Sequence, residues 1–186
     1  MEAGTFKILV PFVYQSKITL TGSTHTITQR YNSAHGRRLK KIIVAPFNTA
    51  QTNQTAYDHS NYPGSAKIQQ FYTQLDNNRT SQYDYVSANY DEWMVMGKKL
   101  KGSCIQSASD YYANYFWMED FTNNLSVGNR HTVKPENNQV DGLDLLNGEH
   151  KYEYFATLPA SATYMWYIFG ITMRELHIQP GILTFQ

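Results

Sequence analysis

The residues of this 186-residue chain that could support chemistry are scattered rather than clustered. No pair of its six histidines has helical or zinc-ligand spacing with a cysteine or carboxylate partner. The histidines are His25, His35, His59, His131, His150 and His177. We therefore predict no metal site and no other cofactor.

The acidic and nucleophilic residues do not form a catalytic constellation. Asp141, Asp144 and Glu149 share one segment and could bind a hard cation, but they lack the spacing of an EF-hand, and solvated loop acids are the favoured interpretation. Cys104 has no obvious base nearby, which favours an inert thiol, and Gly102-Ser103 does not match a nucleophile elbow. We predict that the chain is not an enzyme and assign no catalytic, cofactor-binding or metal-binding residues.

The only basic cluster reads Arg-Arg-Leu-Lys-Lys from Arg37 to Lys41. Alternate residues of a strand face opposite sides, so Arg37 and Lys41 would share a face with Leu39, and the other two cations would lie opposite. We favour a solvated strand end over a nucleic-acid or subunit contact. The formal net charge of +1 also argues against strong nucleic-acid binding by phosphate neutralisation.

The composition predicts an all-β domain. Tyr, Thr, Asn, Ser and Gln are abundant, whereas strong helix formers are sparse. At this length we expect a single domain covering residues 1–186. No apolar run approaches the roughly 20 residues that a membrane-spanning helix needs, so we predict no membrane span.

The C-terminal stretch from Tyr164 to Gln186 organises the predicted sheet. Its first residues are apolar or aromatic at every position, which predicts a central strand covered on both faces, with Trp166 buried. A turn at Gln179-Pro180-Gly181 should lead into a closing strand from Ile182 to Phe185.

Two segments carry hairpin signals. Polar and apolar residues alternate on both sides of Gly22-Ser23, from Lys17 to Arg30. The second hairpin, from Lys67 to Val86, turns at Asp76-Asn77-Asn78, where Asx residues tolerate positive φ. Further strands are predicted at Phe6–Tyr14, where Pro11 indicates an edge or a bulge, and at Leu39–Phe47, Asp110–Phe121 and Lys151–Leu158.

One short helix is predicted from Tyr90 to Leu100, with Asn89 as its cap. Two long polar connections, Asn48–Ser65 and Thr122–Asn147, are predicted to be surface loops. Together these elements predict a single jelly-roll sandwich of about eight antiparallel strands with one short helix and two long loops.

Three segments resemble the C-terminal jelly roll of the double-jelly-roll major capsid proteins of nucleocytoplasmic large DNA viruses, virophages and adenovirus-like elements. Leu9-Val10-Pro11-Phe12 resembles the strand that opens their second jelly roll. Gln74 to Arg79 resembles their hairpin, with Asp76-Asn77 in place of the usual Asn-Gly, and Tyr167 to Phe185 resembles their closing strands. Those proteins contain two jelly rolls and this chain has room for one, so it is either the C-terminal half or a single-jelly-roll coat protein.

The resemblance implies a structural capsid protein of the virion that is made in the host cell. It implies partners: other copies of the chain and a companion jelly roll in a trimeric capsomer, and neighbouring capsomers in an icosahedral shell. The isolated chain should then be prone to self-association, because surface that normally faces another roll would be exposed.

Two other functions are weighed against the capsid interpretation. A carbohydrate-binding β-sandwich would need Trp93, Trp117 and Trp166 on a common exposed platform. A cupin-like enzyme would need metal ligands clustered in a barrel mouth, and the scattered histidines argue against it.

Overall fold

The computed structural model describes residues 6–21, 24–48, 70–80, 85–86, 116–121, 142–157, 163–179 and 182–185. These residues form strands and a single 3-10 turn at Ser33–His35. The strands are β1 (Phe6–Thr21), β2 (Thr24–Tyr31), β3 (Arg38–Asn48), β4 (Gln70–Leu75), β5 (Asn78–Arg79), β6 (Tyr85–Val86), β7 (Trp117–Asp120), β8 (Leu143–Asp144), β9 (His150–Thr157), β10 (Thr163–Gln179) and β11 (Ile182–Phe185).

β10 is the central strand of an antiparallel six-stranded sheet with the order β1-β10-β3-β7. All sixteen residues of β1 pair with it, from Phe6 opposite Ile178 to Thr21 opposite Thr163. β11 pairs with the end of β10, which confirms the predicted closing strand, and β8 pairs with β3. Pro11 lies in β1 at the edge of this sheet, as predicted, where a residue without an N–H can be accommodated.

The second sheet has five strands in the order β2-β9-β4-β5, with β6 also paired to β4. Its hairpin between β4 and β5 confirms the predicted Asx turn, because Asp76 and Asn77 have φ angles of 52° and 66°. The chain passes repeatedly from one sheet to the other, so the described residues form an all-β jelly-roll sandwich.

Aromatic side chains from both sheets fill the space between them. The rings of Tyr154 and Trp166 lie 5.4 Å apart, and those of Phe71 and Trp117 lie 4.9 Å apart. Trp166 is fully buried, as predicted. Such pairs stabilise a core by area burial and by roughly 0.5–1.5 kcal/mol each from ring geometry.

Gly170 of β10 leaves space for a tyrosine ring from the facing sheet. The ring of Tyr31, the last residue of β2, packs directly on the backbone at Gly170. A Cβ at this position would lie 2.6 Å from Tyr31 Cζ. The two sheets can therefore approach here only because position 170 has no side chain.

The first predicted hairpin is wrong. β1 belongs to the six-stranded sheet and β2 to the five-stranded sheet, so the chain changes sheet between residues 21 and 24. The alternation of polar and apolar residues does mark two strands, but they face each other across the sandwich instead of pairing. The hydrogen bond from Ser16 Oγ to Gln29 Oε1, 2.8 Å long, crosses between them. The predicted break between Phe6–Tyr14 and Lys17–Thr21 is also wrong, because β1 is continuous.

The expected division of the basic cluster between two faces is wrong too, because β3 contains an irregularity. Opposite Ile171 and Thr172 of β10, the register passes from Lys41 to Leu39 and leaves Lys40 as an extra residue. Both Leu39 and Ile42 are consequently buried in the core. Simple alternation would have placed them on opposite faces.

Several predicted elements lie partly or wholly outside the described residues. These are the helix Tyr90–Leu100, nearly all of the Asn48–Ser65 loop, and the first half of the strand Asp110–Phe121. Of the predicted loop Thr122–Asn147, only 142–147 are described, and they contain β8 rather than loop alone.

We expect Gly170→Ala to lower the free energy of unfolding by about 1 to 3 kcal/mol, because the added methyl overlaps the buried Tyr31 ring. Urea unfolding followed by tryptophan fluorescence would measure the change. Gly148→Ala is the matched control, since no atom lies within 4 Å of a Cβ added at the exposed Gly148. Equal stability of the two variants would contradict this account of the sheet contact.

Candidate interaction surface

The outer face of the five-stranded sheet is polar. On its edge strand β2, Thr24, Thr26, Thr28 and Arg30 alternate with buried or half-buried residues and are exposed to solvent. On β9 the outward residues include Lys151 and Glu153, which form an ion pair at 3.0 Å.

One aromatic pair interrupts this polar face. The rings of Tyr72 and Phe155 stack 4.4 Å apart on neighbouring strands, and the guanidinium of Arg79 lies 4.2 Å above Tyr72. The remainder of the face resembles ordinary solvated sheet.

The outer face of the six-stranded sheet carries an apolar row along β10, with Lys17 of β1 beside Tyr167 and Lys41 of β3 beside Ile171. The outward residues of β10 are partly exposed and contain no charge over five consecutive positions: Met165, Tyr167, Phe169, Ile171 and Met173. Beside them on β1, Val13 pairs with Ile171 and is 59% exposed. We define the apolar face as these five residues of β10 together with Val13 of β1 and Ile43 of β3. The prediction that β10 is covered on both faces therefore holds only for its core face.

A charged cluster ends the apolar face. Glu175, the next outward residue of β10, is only 5% exposed. Its carboxylate contacts Lys7 Nζ at 3.0 Å, His177 Nε2 at 2.6 Å and the guanidinium of Arg37. A buried carboxylate requires such partners, because desolvation would otherwise strongly disfavour its charge.

A second buried carboxylate links the two sheets. Glu119 Oε1 accepts hydrogen bonds from Thr73 Oγ1 at 2.8 Å, Thr80 Oγ1 at 3.0 Å and Trp117 Nε1 at 2.9 Å. Burial raises the pKa of Tyr152 well above 10.0, and the charge of Glu119 adds to that shift. This network lies within the sandwich, and its hydrogen bond from Thr73 joins β4 to β7.

A surface network joins the Asx turn to the six-stranded sheet. His150 Nδ1 lies 2.7 Å from Asp76 Oδ2, and its Nε2 lies 2.9 Å from the carbonyl oxygen of Asp144 in β8. Partial burial alone would raise the pKa of Asp76. Hydrogen bonds from His150 and the Lys151 N–H, with the nearby positive charges, outweigh burial and lower that pKa below its usual 3.8. A hydrogen bond from the Leu146 N–H is the largest cause lowering the pKa of Asp144.

The residues considered for chemistry are dispersed in the structure. Glu149 pairs with Arg30, and Asp144 accepts hydrogen bonds from Leu146 and Asn147. Within the described ranges, no three His, Cys, Asp or Glu residues are grouped so that they could hold a metal ion. His59, His131, Cys104, Asp141 and Gly102-Ser103 lie outside those ranges.

The basic cluster is paired with acids rather than left as an open patch. Arg38 lies 3.9 Å from Asp144, and Lys41 lies 3.0 Å from Asp120 of β7. The buried Glu175 that binds Arg37 was missed from sequence. The sequence does carry one signal for this site, a lone Glu at the end of an aromatic strand. If such a strand is central, its Glu is buried and needs cationic partners.

The tryptophans do not form an exposed platform. Trp117 and Trp166 are 1% and 0% exposed and face the core, and Trp93 lies outside the described residues. The platform that a carbohydrate-binding module would need is therefore not formed by these three residues. In the part of the chain that the structure describes, no helix has the length and hydropathy to cross a bilayer.

Solved viral structures share this architecture. A chain of the PBCV-1 virus capsid matches with a TM-score of 0.55 and 11% sequence identity, over 98% of this chain and 52% of that one. The fold is that of a capsid-protein jelly roll. A chain of the Sputnik virophage structure matches with a TM-score of 0.54, also at 11% identity, over 98% of this chain and 38% of that one.

The chain thus spans about 38 to 52% of the length of these two viral chains. No protein-family model matches it, and no curated protein matches its sequence. The likeness therefore concerns the fold of the capsid jelly roll, which confirms the fold implied by the resemblance described above.

We expect Val13→Glu to reduce self-association of the purified chain in sedimentation velocity, because it places a charge within the apolar face. The free energy of unfolding should change by less than about 0.5 kcal/mol, since Val13 is largely exposed. Thr26→Glu, an exposed residue of the other sheet's edge strand, is the control and should leave self-association unchanged. Equal effects of both substitutions would contradict a special role for the apolar face.

The surface network predicts acid sensitivity. A carboxyl whose pKa is lower in the folded than in the unfolded chain stabilises the fold above the unfolded value of 3.8 and loses that contribution as pH falls. We expect Asp76→Asn to destabilise the chain most above about pH 5, with the difference from the unsubstituted chain narrowing below about pH 4. Urea midpoints across this range would measure it, and a constant difference would contradict the linkage.

Proposed function

We propose that residues 1–186 form one jelly-roll domain of a structural capsid protein. In this proposal the domain assembles into capsomers of an icosahedral shell, resides in the virion after synthesis in the host cell, and has no enzymatic activity. The observation that carries the proposal is the contrast between the polar outer face of one sheet and the apolar row along β10 on the outer face of the other.

This contrast suits a domain that associates on one side. Exposed apolar residues scattered singly are ordinary, but a continuous row on one sheet favours contact with another protein. Phe169 and Tyr167 stack with their rings parallel to within 10° at the centre of the face, and Lys17 Nζ lies 6.0 Å from the centre of the Tyr167 ring. Aromatic residues are enriched in the buried centres of protein interfaces.

The partner that we propose for the apolar face is a companion jelly roll. The matched viral chains are about two to two and a half times as long as this one, so they contain chain enough for a second roll. A stable contact would bury roughly 800 Å² on each side. Other copies of the chain and neighbouring capsomers would then use the remaining edges and the loops.

The fold likeness to the PBCV-1 capsid and to the Sputnik virophage supports the same proposal. The small net charge of +1 continues to predict that strong nucleic-acid binding is not part of this role.

Electron microscopy of the purified chain tests the proposal directly. We expect oligomers that include hexagonal, capsomer-like blocks or closed particles, because in the isolated domain a second copy can cover the apolar face in place of the companion roll. The same preparation of Val13→Glu should contain fewer of them. A monodisperse monomer at high protein concentration, with no tendency to assemble, would contradict the capsid function.

A further inference from the structure

We propose that a pocket at the end of β1 is a docking site for an extended polypeptide segment from another chain. The segment would pair with the Lys7–Val10 half of β1 and place a carboxylate beside Lys7, at the rim of the pocket. This site is separate from the apolar face, and its occupancy does not depend on the chain forming a shell.

The pocket has a volume of about 330 Å³, at the lower limit for ligand sites and suited to one polar group with its neighbours. Glu175 lies buried at its wall. The other wall residues divide into three cations, Lys7, Arg37 and Arg38, and three apolar residues, Ile8, Leu9 and Leu146.

The charge of the wall favours an anion. Three positive side chains face one carboxylate, which leaves two positive charges. Asp144, 3.9 Å from Arg38, reduces the excess to one. Glu175 already receives Lys7 and Arg37, so it fixes the position of both cations rather than neutralising the pocket completely. A carboxylate fits this balance better than a phosphate dianion, because Glu175 repels each added negative charge.

The strand beside the pocket has an open edge. β1 is the terminal strand of its sheet, and no strand among the described residues pairs with its other side. Ile8 is 47% exposed, and Lys7 is 60% exposed in its side chain. An exposed edge with apolar side chains offers backbone hydrogen bonds to an added strand, which is why the ligand is a polypeptide rather than a free anion.

The sequence of β1 limits where such a segment can pair. Pro11 pairs with Met173 inside the β1–β10 ladder and has no N–H to offer a further strand. It therefore confines the added segment to the residues before it, which are the ones that border the pocket. β1 contains two lysines and no acidic residue, so an acidic partner meets no like charge along it.

Peptide binding to the intact chain tests the proposal. The probe is a dye-labelled, amidated peptide Thr-Val-Glu-Val-Thr-Val, and the readout is fluorescence anisotropy. We expect it to bind about 5-fold more tightly than its Gln counterpart, because one partly exposed ion pair is lost in the latter. A version N-methylated at alternate residues should bind at least about 5-fold more weakly, because it cannot complete the backbone ladder.

Two variants of the chain locate the site. Lys7→Gln should remove the preference for the Glu peptide, while Arg37 and His177 continue to hold Glu175. Lys17→Gln, on the same strand but away from the pocket, should retain the full preference. Circular dichroism and urea unfolding verify that both variants fold.

The proposal is overturned if the Glu and Gln peptides bind equally, if the N-methylated peptide binds as well as its parent, or if Lys7→Gln retains the preference. Displacement of the peptide by inorganic phosphate at an equal concentration would also overturn it and indicate an anion site instead. Each of these results concerns the pocket alone and leaves the microscopy test of capsid assembly unaffected.

Discussion

The structure depends on the contact between a glycine and a tyrosine on facing sheets. Tyr31 closes the core at the end of β2 only because Gly170 leaves the backbone of β10 uncovered. Beside it, the buried Ile168 and Trp166 continue the core face of β10, and the Trp166 ring packs against that of Tyr154. The distance between the sheets, and with it the stacking of the core rings, is set along this row.

A sandwich closed in this way has two outer faces, and their chemistry differs. The five-stranded sheet carries threonines and paired charges outward, so it needs no cover. The six-stranded sheet presents an uncharged row along β10 that ends at the ion cluster of Glu175. At this end of the row, Lys7 and Arg37 offer positive charge beside the apolar side chains.

Much of this fold follows from local patterns. The Asx turn at Asp76-Asn77 was predictable because few residues tolerate two successive positive φ angles. The aromatic and β-branched residues of β10 predicted its central place in the sheet, because such residues are enriched in packed strands. The resemblance in Gln74–Arg79 and Tyr167–Phe185 lies in these same two regions, and it identified the jelly roll.

Other features were not accessible from local pattern. Gly22-Ser23 between alternating segments has the sequence of a hairpin turn. The two flanking strands enter different sheets because β1 pairs with β10 and β2 pairs with β9. The extra residue at Lys40 shifts the periodicity without any Gly or Pro to mark it. The apolar face and the Glu175 cluster combine β1, β3 and β10, so neither can be recognised before the strand order is known.

The pairing of β1 with β10 has a consequence for the timing of folding. The residues that it joins are between 142 and 172 positions apart along the chain. During synthesis from the N-terminus, β1 must wait until β10 has been made before it gains its only neighbour among the described strands. Since β10 also carries most of the apolar face, that face is assembled last, after the five-stranded sheet has had the chance to form. A growing chain would thus be slow to acquire the surface on which premature association with its neighbours would depend.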